Sequence, residues 1–344
     1  MLFWQHLARP VTIAFFVGCL LGQAGMRAAT GDDQVVLRWD LPEGSVWALH
    51  VQQQYETRVG FSGKVADTRY DLTLDATLRV VARQEDRVTV HQTIDQIVME
   101  VTLPTGARLR FDSASQERPA PGPAAELAAA LRSLVGATFE LVQSRRGEVE
   151  DVRPVGQVAE QWLARSEDGR NESNSVKRAL SGALGQCLLL LPEGPVGPQQ
   201  TWRHVRTEES PLGQVQVHTT YRLDLPSSQD GKDLWPIRFT SEMTVPSSAQ
   251  GDTTQQAAAQ PTPGPPPSIP LATRRNPLQL KHFQQSGTVW FSVEQMRPVS
   301  ADLQNHLTLT QVYRDLTITA ETKLRQQVTL QPKNGAKMAP GGVE

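Results

Sequence analysis

Residues 70–80 read YDLTLDATLRV, with every even position apolar or aromatic and every odd one polar. Strict period-two alternation describes a strand with one dry and one wet face, as in an antiparallel sheet solvated on one side. Strands of a doubly covered parallel sheet read apolar throughout. The same alternation recurs on the odd positions of residues 215–225, VQVHTTYRLDL, where Thr219 is the only hydroxyl in the apolar phase. Trp47, Leu49, Val51, Tyr55 and Val59 form a third such face, and Trp235, Ile237, Phe239, Met243 and Val245 a fourth. Residues 287–310, GTVWFSVEQMRPVSADLQNHLTLT, read as a hairpin turning around 294–298. It sets Val289, Phe291 and Val293 against Ala301, Leu303, Leu307 and Leu309.

Some of these strands are long. In residues 86–103 the apolar phase falls on Val88, Val90 and Ile94, then on Ile97, Met99, Val101 and Leu103. One extra residue near Asp95 and Gln96 accounts for the change of parity and predicts a β-bulge. Residues 138–152, TFELVQSRRGEVEDV, predict a hairpin turning at Arg146 and Gly147.

Helical spacing is confined to the middle of the chain. Residues 124–135 group Leu127, Leu131 and Leu134, and residues 155–165 group Val155, Val158, Ala159 and Trp162. Residues 173–191 group Val176, Leu180, Ala183, Leu184, Cys187 and Leu191, with Ser173 or Asn174 as N-cap and Pro192 as stop. The expectation is an α+β fold: a large curved antiparallel β-sheet, half-barrel-like, with about three helices packed on one face.

The amino terminus predicts export. Arg9 precedes the apolar run VTIAFFVGCLL at residues 11–21, and GQA follows at 22–24. That is the layout of a secretory signal peptide ending at residue 24, and the run is too short to cross a bilayer as a helix. Phe16-Val-Gly-Cys19 resembles the lipobox of bacterial lipoproteins, so lipidation at Cys19 is the alternative to cleavage. The mature chain, residues 25–331, then reads as a single domain with no transmembrane span. A Pro-, Gln- and Ala-rich insertion at 247–275 and a tail at 332–344 are too poor in apolar residues to build a core and are expected to be disordered. The formal net charge of −2 on 344 residues gives no electrostatic footprint for nucleic acid.

The order of segments resembles a family of uncharacterised exported bacterial proteins of planctomycete type. The matching pieces are Val36-Leu-Arg-Trp39 with Pro42-Glu-Gly44 and Trp47, Phe111-Asp-Ser113, and Leu134-Val-Gly136 before the Arg-Arg-Gly turn. Leu-Leu-Pro192, Gly197 with Thr201-Trp202, and Gly287-Thr-Val-Trp-Phe291 continue the match. That family has no assigned activity, so the resemblance implies no catalytic residue. The architecture is more distantly similar to the periplasmic lipoprotein carriers, a resemblance that implies a hollow able to hold acyl chains.

Motifs for chemistry are missing from the sequence. There is no Gly-x-Ser-x-Gly elbow, phosphate loop, dinucleotide fingerprint or HExxH pair. The histidines are scattered, and His50, His91, His218 and His306 fall on the polar phase of strands. No cofactor or metal is expected, and the role is expected to be non-enzymatic. Trp290 is out of phase with Val289, Phe291 and Val293, which marks it as a candidate ligand or partner contact. Two functions remain open: binding of an apolar ligand (a lipid or lipoprotein-like molecule) or a protein partner in the cell envelope, and a structural envelope component with a fully packed core.

Overall fold

A computed structural model describes residues 34–115, 122–166, 189–210, 212–229, 232–246, 278–313 and 316–333. The expected signal peptide with Cys19, the proline-rich insertion, Cys187 and most of the third expected helix lie outside the described residues.

The described chain is dominated by one thirteen-stranded antiparallel sheet. It opens with β1 (Val46–Phe61), β2 (Lys64–Arg83), β3 (Arg87–Thr102) and β4 (Arg108–Asp112). Helix α1 (Pro123–Arg132), β5 (Thr138–Ser144), β6 (Val149–Val155) and helix α2 (Gly156–Ser166) follow. The second half comprises β7 (Thr201–Ser210), β8 (Gly213–Leu223), β9 (Ser227–Gln229) and β10 (Lys232–Thr244). It ends with β11 (Gln279–Ser292), β12 (Arg297–Tyr313) and β13 (Leu316–Pro332). The spatial order is β6-β5-β3-β2-β1-β13-β12-β11-β10-β8-β7, with β4 beside β3 and β9 beside β10. The sheet is open, since β6 and β7 end the row without pairing with each other.

The alternation works as the sequence implies. In β1, Trp47, Leu49, Val51 and Tyr55 are buried while His50, Gln52 and Gln54 face the other side. The bulge in β3 lies where parity changes: Asp75 pairs with Gln96 and Ala76 with Ile94, leaving Asp95 as the extra residue. The hairpin of β5 and β6 turns at Arg146 and Gly147, and that of β11 and β12 turns over residues 293–296.

The helical cover departs from expectation. Among the described residues there are two helices, and residues 189–191 belong to neither. The helices serve a satellite cluster of Ile94, Ile97, Phe111, Phe139, Leu141 and Val152, entered by Ala128 of α1 and Ala159 of α2. Leu131, Leu134, Ala159 and Trp162 pack on this cluster as expected, while Leu127 and Val158 are exposed and Ala128 packs inward beside them. An alanine lets the helix backbone approach the sheet more closely than a leucine does.

Among the described residues the main cluster is covered by two segments outside the helices and named strands. Leu37, Trp39 and Leu41 come from one, and Leu189, Leu190, Leu191 and Val196 from the other. They pack with side chains contributed from β2 and β3 across to β8, β10 and β11. Val35 and Val196 exchange backbone hydrogen bonds of 2.9 Å, tying the two segments together. Such a segment has no internal hydrogen-bond ladder, so its backbone must find partners elsewhere. Trp39 N–H donates to Arg145 O at 2.7 Å, Asp40 N–H to Met296 O at 2.9 Å, and Leu191 N–H to Arg146 O at 2.7 Å.

Those bonds also establish curvature. Consecutive residues 39 and 40 reach the β5–β6 turn and the β11–β12 turn respectively. In the sheet β5 and β12 are five neighbours apart, roughly 24 Å if flat at about 4.8 Å per strand. One residue cannot bridge that span, so the sheet rolls around the two segments.

Candidate functional site

Between the rolled sheet and the segment carrying Trp39 lies a mostly apolar cavity of about 50 Å³. Its walls come from β5, β3, β2, β1, β13 and β12, neighbours in the sheet, with Trp39 and Leu41 on the remaining side. A second bulge shapes the β12 wall. Trp290 pairs with Ser300 and Phe291 with Pro298, so Val299 is the extra residue, and it lines the cavity. Proline beside a bulge is tolerated because the ladder is already interrupted there.

Polar groups in the lining are few. They are Gln92 from β3, Gln143 from β5 and Ser300 from β12. Gln92 is 2% exposed and Gln143 5%. The Gln143 Nε2 and the Trp39 Nε1 have no hydrogen-bond partner among the described residues. A buried donor left unpaired costs about 1–3 kcal/mol.

Just beyond the cavity, Arg297 begins β12 and is 2% exposed. Its Nη1 donates to Leu330 O at 2.8 Å and Pro298 O at 3.0 Å, and its guanidinium lies 4.4 Å from the centre of the Trp47 ring. Burial pushes its pKa down to about 10, so it stays charged at neutral pH. The ring face and the carbonyls stand in for a carboxylate partner.

The opposite face of the sheet is wet. His50 meets Asp75 at 2.6 Å, His91 meets Glu140 at 3.3 Å and His306 meets Glu321 at 2.9 Å, each across neighbouring strands. Among the described residues no group of three or more His, Cys, Asp or Glu side chains is placed to hold a metal. No helix among them is long and apolar enough to cross a membrane. Trp290 lies opposite in phase to the buried Val289 and Phe291, half-buried between Pro236 of β10 and Ser300 of β12. The structure does not bring it to the cavity lining.

Sequence reasoning passed over Gln92 and Gln143. Their signal was present: each places an amide in an apolar phase, Val88-Val90-Gln92-Ile94 and Phe139-Leu141-Gln143. Trp39 carried the plain period-two signal, with Val35, Leu37, Trp39 and Leu41 in one apolar phase, although the segment belongs to none of the named strands.

No family model and no curated protein matches the chain. Among solved structures, it is similar to DynF from the dynemicin biosynthesis pathway of Micromonospora chersina (9% identity, 90% of this chain and 94% of that one, TM-score 0.22). It is also similar to a DUF1329 family protein from Desulfovibrio piger (10%, 84% and 87%, TM-score 0.13). A third is a β-barrel-like protein of the domain of unknown function DUF1849 from Brucella abortus (10%, 87% and 100%, TM-score 0.18). At these TM-scores the likenesses carry nothing about function.

Proposed function

We propose that the chain is a non-enzymatic protein of the bacterial cell envelope, exported by its amino-terminal segment, that binds an apolar ligand inside its rolled sheet. The observation that carries this reading is the apolar cavity lined by six neighbouring strands and the Trp39 segment. About 50 Å³ seats only a few non-hydrogen atoms, so a longer ligand requires the Trp39–Leu41 stretch to lift. That stretch is held by backbone bonds to two turns and by the Asp40 ion pairs to Arg83 and Arg145, all of which would have to release together.

Delipidated protein titrated with a fluorescent acyl-chain probe is expected to show saturable binding. Val299→Phe, which fills the cavity from the bulge, is expected to abolish it without lowering the melting temperature by more than a few degrees. Non-saturable binding, or binding indifferent to Val299→Phe, overturns the reading in favour of a packed structural protein.

A second reading rests on Trp290, a half-buried indole on the otherwise polar outer face. It makes this face a contact for an envelope protein. Trp290→Ala is then expected to lose the partner and leave probe binding untouched; equal recovery of the partner removes Trp290 from the contact.

A further inference from the structure

The two ends of the sheet are finished differently. An edge strand presents a row of backbone N–H and C=O groups that another strand can pair with, and short length, bulges and proline blunt such an edge. At one end, β6 spans seven residues, Val149–Val155. Its register with β5 is broken by a bulge at Glu150, and Pro154 has no N–H to offer. At the other end, β7 runs ten residues, Thr201–Ser210, in unbroken register with β8 and without a proline. Among the described residues it has no neighbouring strand on its outer side. Solvent reaches it as well: Arg203, Val205, Arg206 and Thr207 are exposed, Val205 by 51%.

The charges of β7 are ordered along the strand. Residues 203–209 read RHVRTEE, basic first and acidic last. A second copy laid antiparallel sets the basic half of each strand against the acidic half of the other, whereas a parallel copy sets like against like. Pairing about a two-fold axis makes each contact occur twice and one residue its own partner. Centred on Arg206, the overlap covers residues 202–210. His204 then stands opposite Glu208 of the second copy, and Arg203 opposite position 209. Arg206 Nε already meets Glu208 Oε1 of its own strand at 2.6 Å, so the two central arginines are interleaved with two glutamates.

We propose that the β7 edge is the interface of a two-fold dimer, in which two copies of this chain pair β7 with β7 antiparallel about Arg206 and continue one sheet across both. This pairing does not depend on what the cavity holds. One strand pair buries less than the roughly 1,200 Å² at which standard interfaces begin, so the dimer dissociates in the micromolar range.

Sedimentation velocity of the chain over a range of concentrations is expected to show a monomer–dimer equilibrium with no larger species. His204→Glu sets acid against acid twice, and Glu208→Arg strips both central arginines of their counter-charge. Each should weaken the dimer by on the order of tenfold. The double variant exchanges the two charges and should return to within about threefold of the parent. Val205→Lys alters only an exposed side chain and adds two cations beside the central arginines, so it should weaken the dimer while the monomer melts as before. It decides the matter alone if the variants at 204 and 208 do not fold. A chain that stays monomeric at every concentration overturns the interface, as does a dimer indifferent to Val205→Lys and to both single changes. Polymers that lengthen with concentration overturn the two-fold pairing in favour of a head-to-tail contact. A double variant that melts like the parent yet stays dissociated overturns the antiparallel register.

Discussion

The two apolar clusters of this molecule are closed in different ways. Over Phe139 the cover is helical: Trp162 of α2 meets the Phe139 ring edge-on at 6.2 Å and 86°, and Arg132 of α1 sits 5.4 Å from the Phe111 ring. Over Trp47 and Leu49 it is two segments outside the helices and named strands, pinned by charge and backbone. Asp40 bridges Arg83 at 2.6 Å and Arg145 at 3.2 Å, and Arg146 Nε donates to Leu191 O at 3.0 Å. A helix satisfies its own backbone and needs only apolar contact to stay; a cover without a ladder of its own must borrow partners from the rim. The arginine-rich turn of β5 and β6 supplies them. It also lowers the pKa of Arg38, chiefly through burial and then through Arg146 and Arg145 nearby.

The difference can be broken from either side. Phe139→Ala empties the centre of the helical cluster, where Phe139 is 1% exposed, and is expected to cost about 3–5 kcal/mol in urea unfolding. A loss below about 1 kcal/mol would show that the helices contribute little to closing it.

Gly147→Ala attacks the other cover. Gly147 has φ of 94°, and an added Cβ would lie 2.3 Å from Leu189 O and 2.7 Å from Trp39 Nε1. The expected cost is about 2–4 kcal/mol from left-handed strain and collision together. Acrylamide quenching of tryptophan emission should rise with it, and unchanged quenching would mean that the segments do not depend on this turn.

Asp40→Asn removes the acid between two arginines that are about a third or more exposed, so the expected loss is about 1–2 kcal/mol, diminishing in high salt. Salt-independent loss would assign Asp40 a packing role instead.

The smallest effect belongs to the solvated face, away from both covers. A hydrogen bond from Lys323, with a smaller one from His306, holds the Glu321 carboxyl below its ordinary pKa. A carboxylate with a depressed folded pKa adds stability above its unfolded pKa, and that stability fades as pH falls through the folded value. Glu321→Gln should therefore shift stability at neutral pH by under about 0.5 kcal/mol and slightly flatten its acid limb. A steeper acid limb in the variant would contradict that sign.

Much of the sheet was legible because period two is local: each residue's face follows from its neighbours'. The Asp95 bulge and the outward phase of Trp290 were readable for the same reason. Helix positions were readable too, and so was most of their packing through Leu131, Leu134, Ala159 and Trp162; Leu127 was misplaced because it and Ala128 differ by one position and the smaller residue packs inward. Among the described residues the main core is covered by the segments carrying Trp39 and Leu191, which belong to no helix. An apolar face states that something covers it and not what.

The sequence by itself determined the strands, their wet and dry faces, the two hairpin turns and the scarcity of catalytic motifs. The tertiary structure alone decided that residues 34–41 and 189–196 lie inside the roll, that a cavity survives beneath Trp39, and that Gln143 ends there without a partner. These depend on which turns meet across five strand spacings, and closure over that distance leaves no trace in the order of nearby residues.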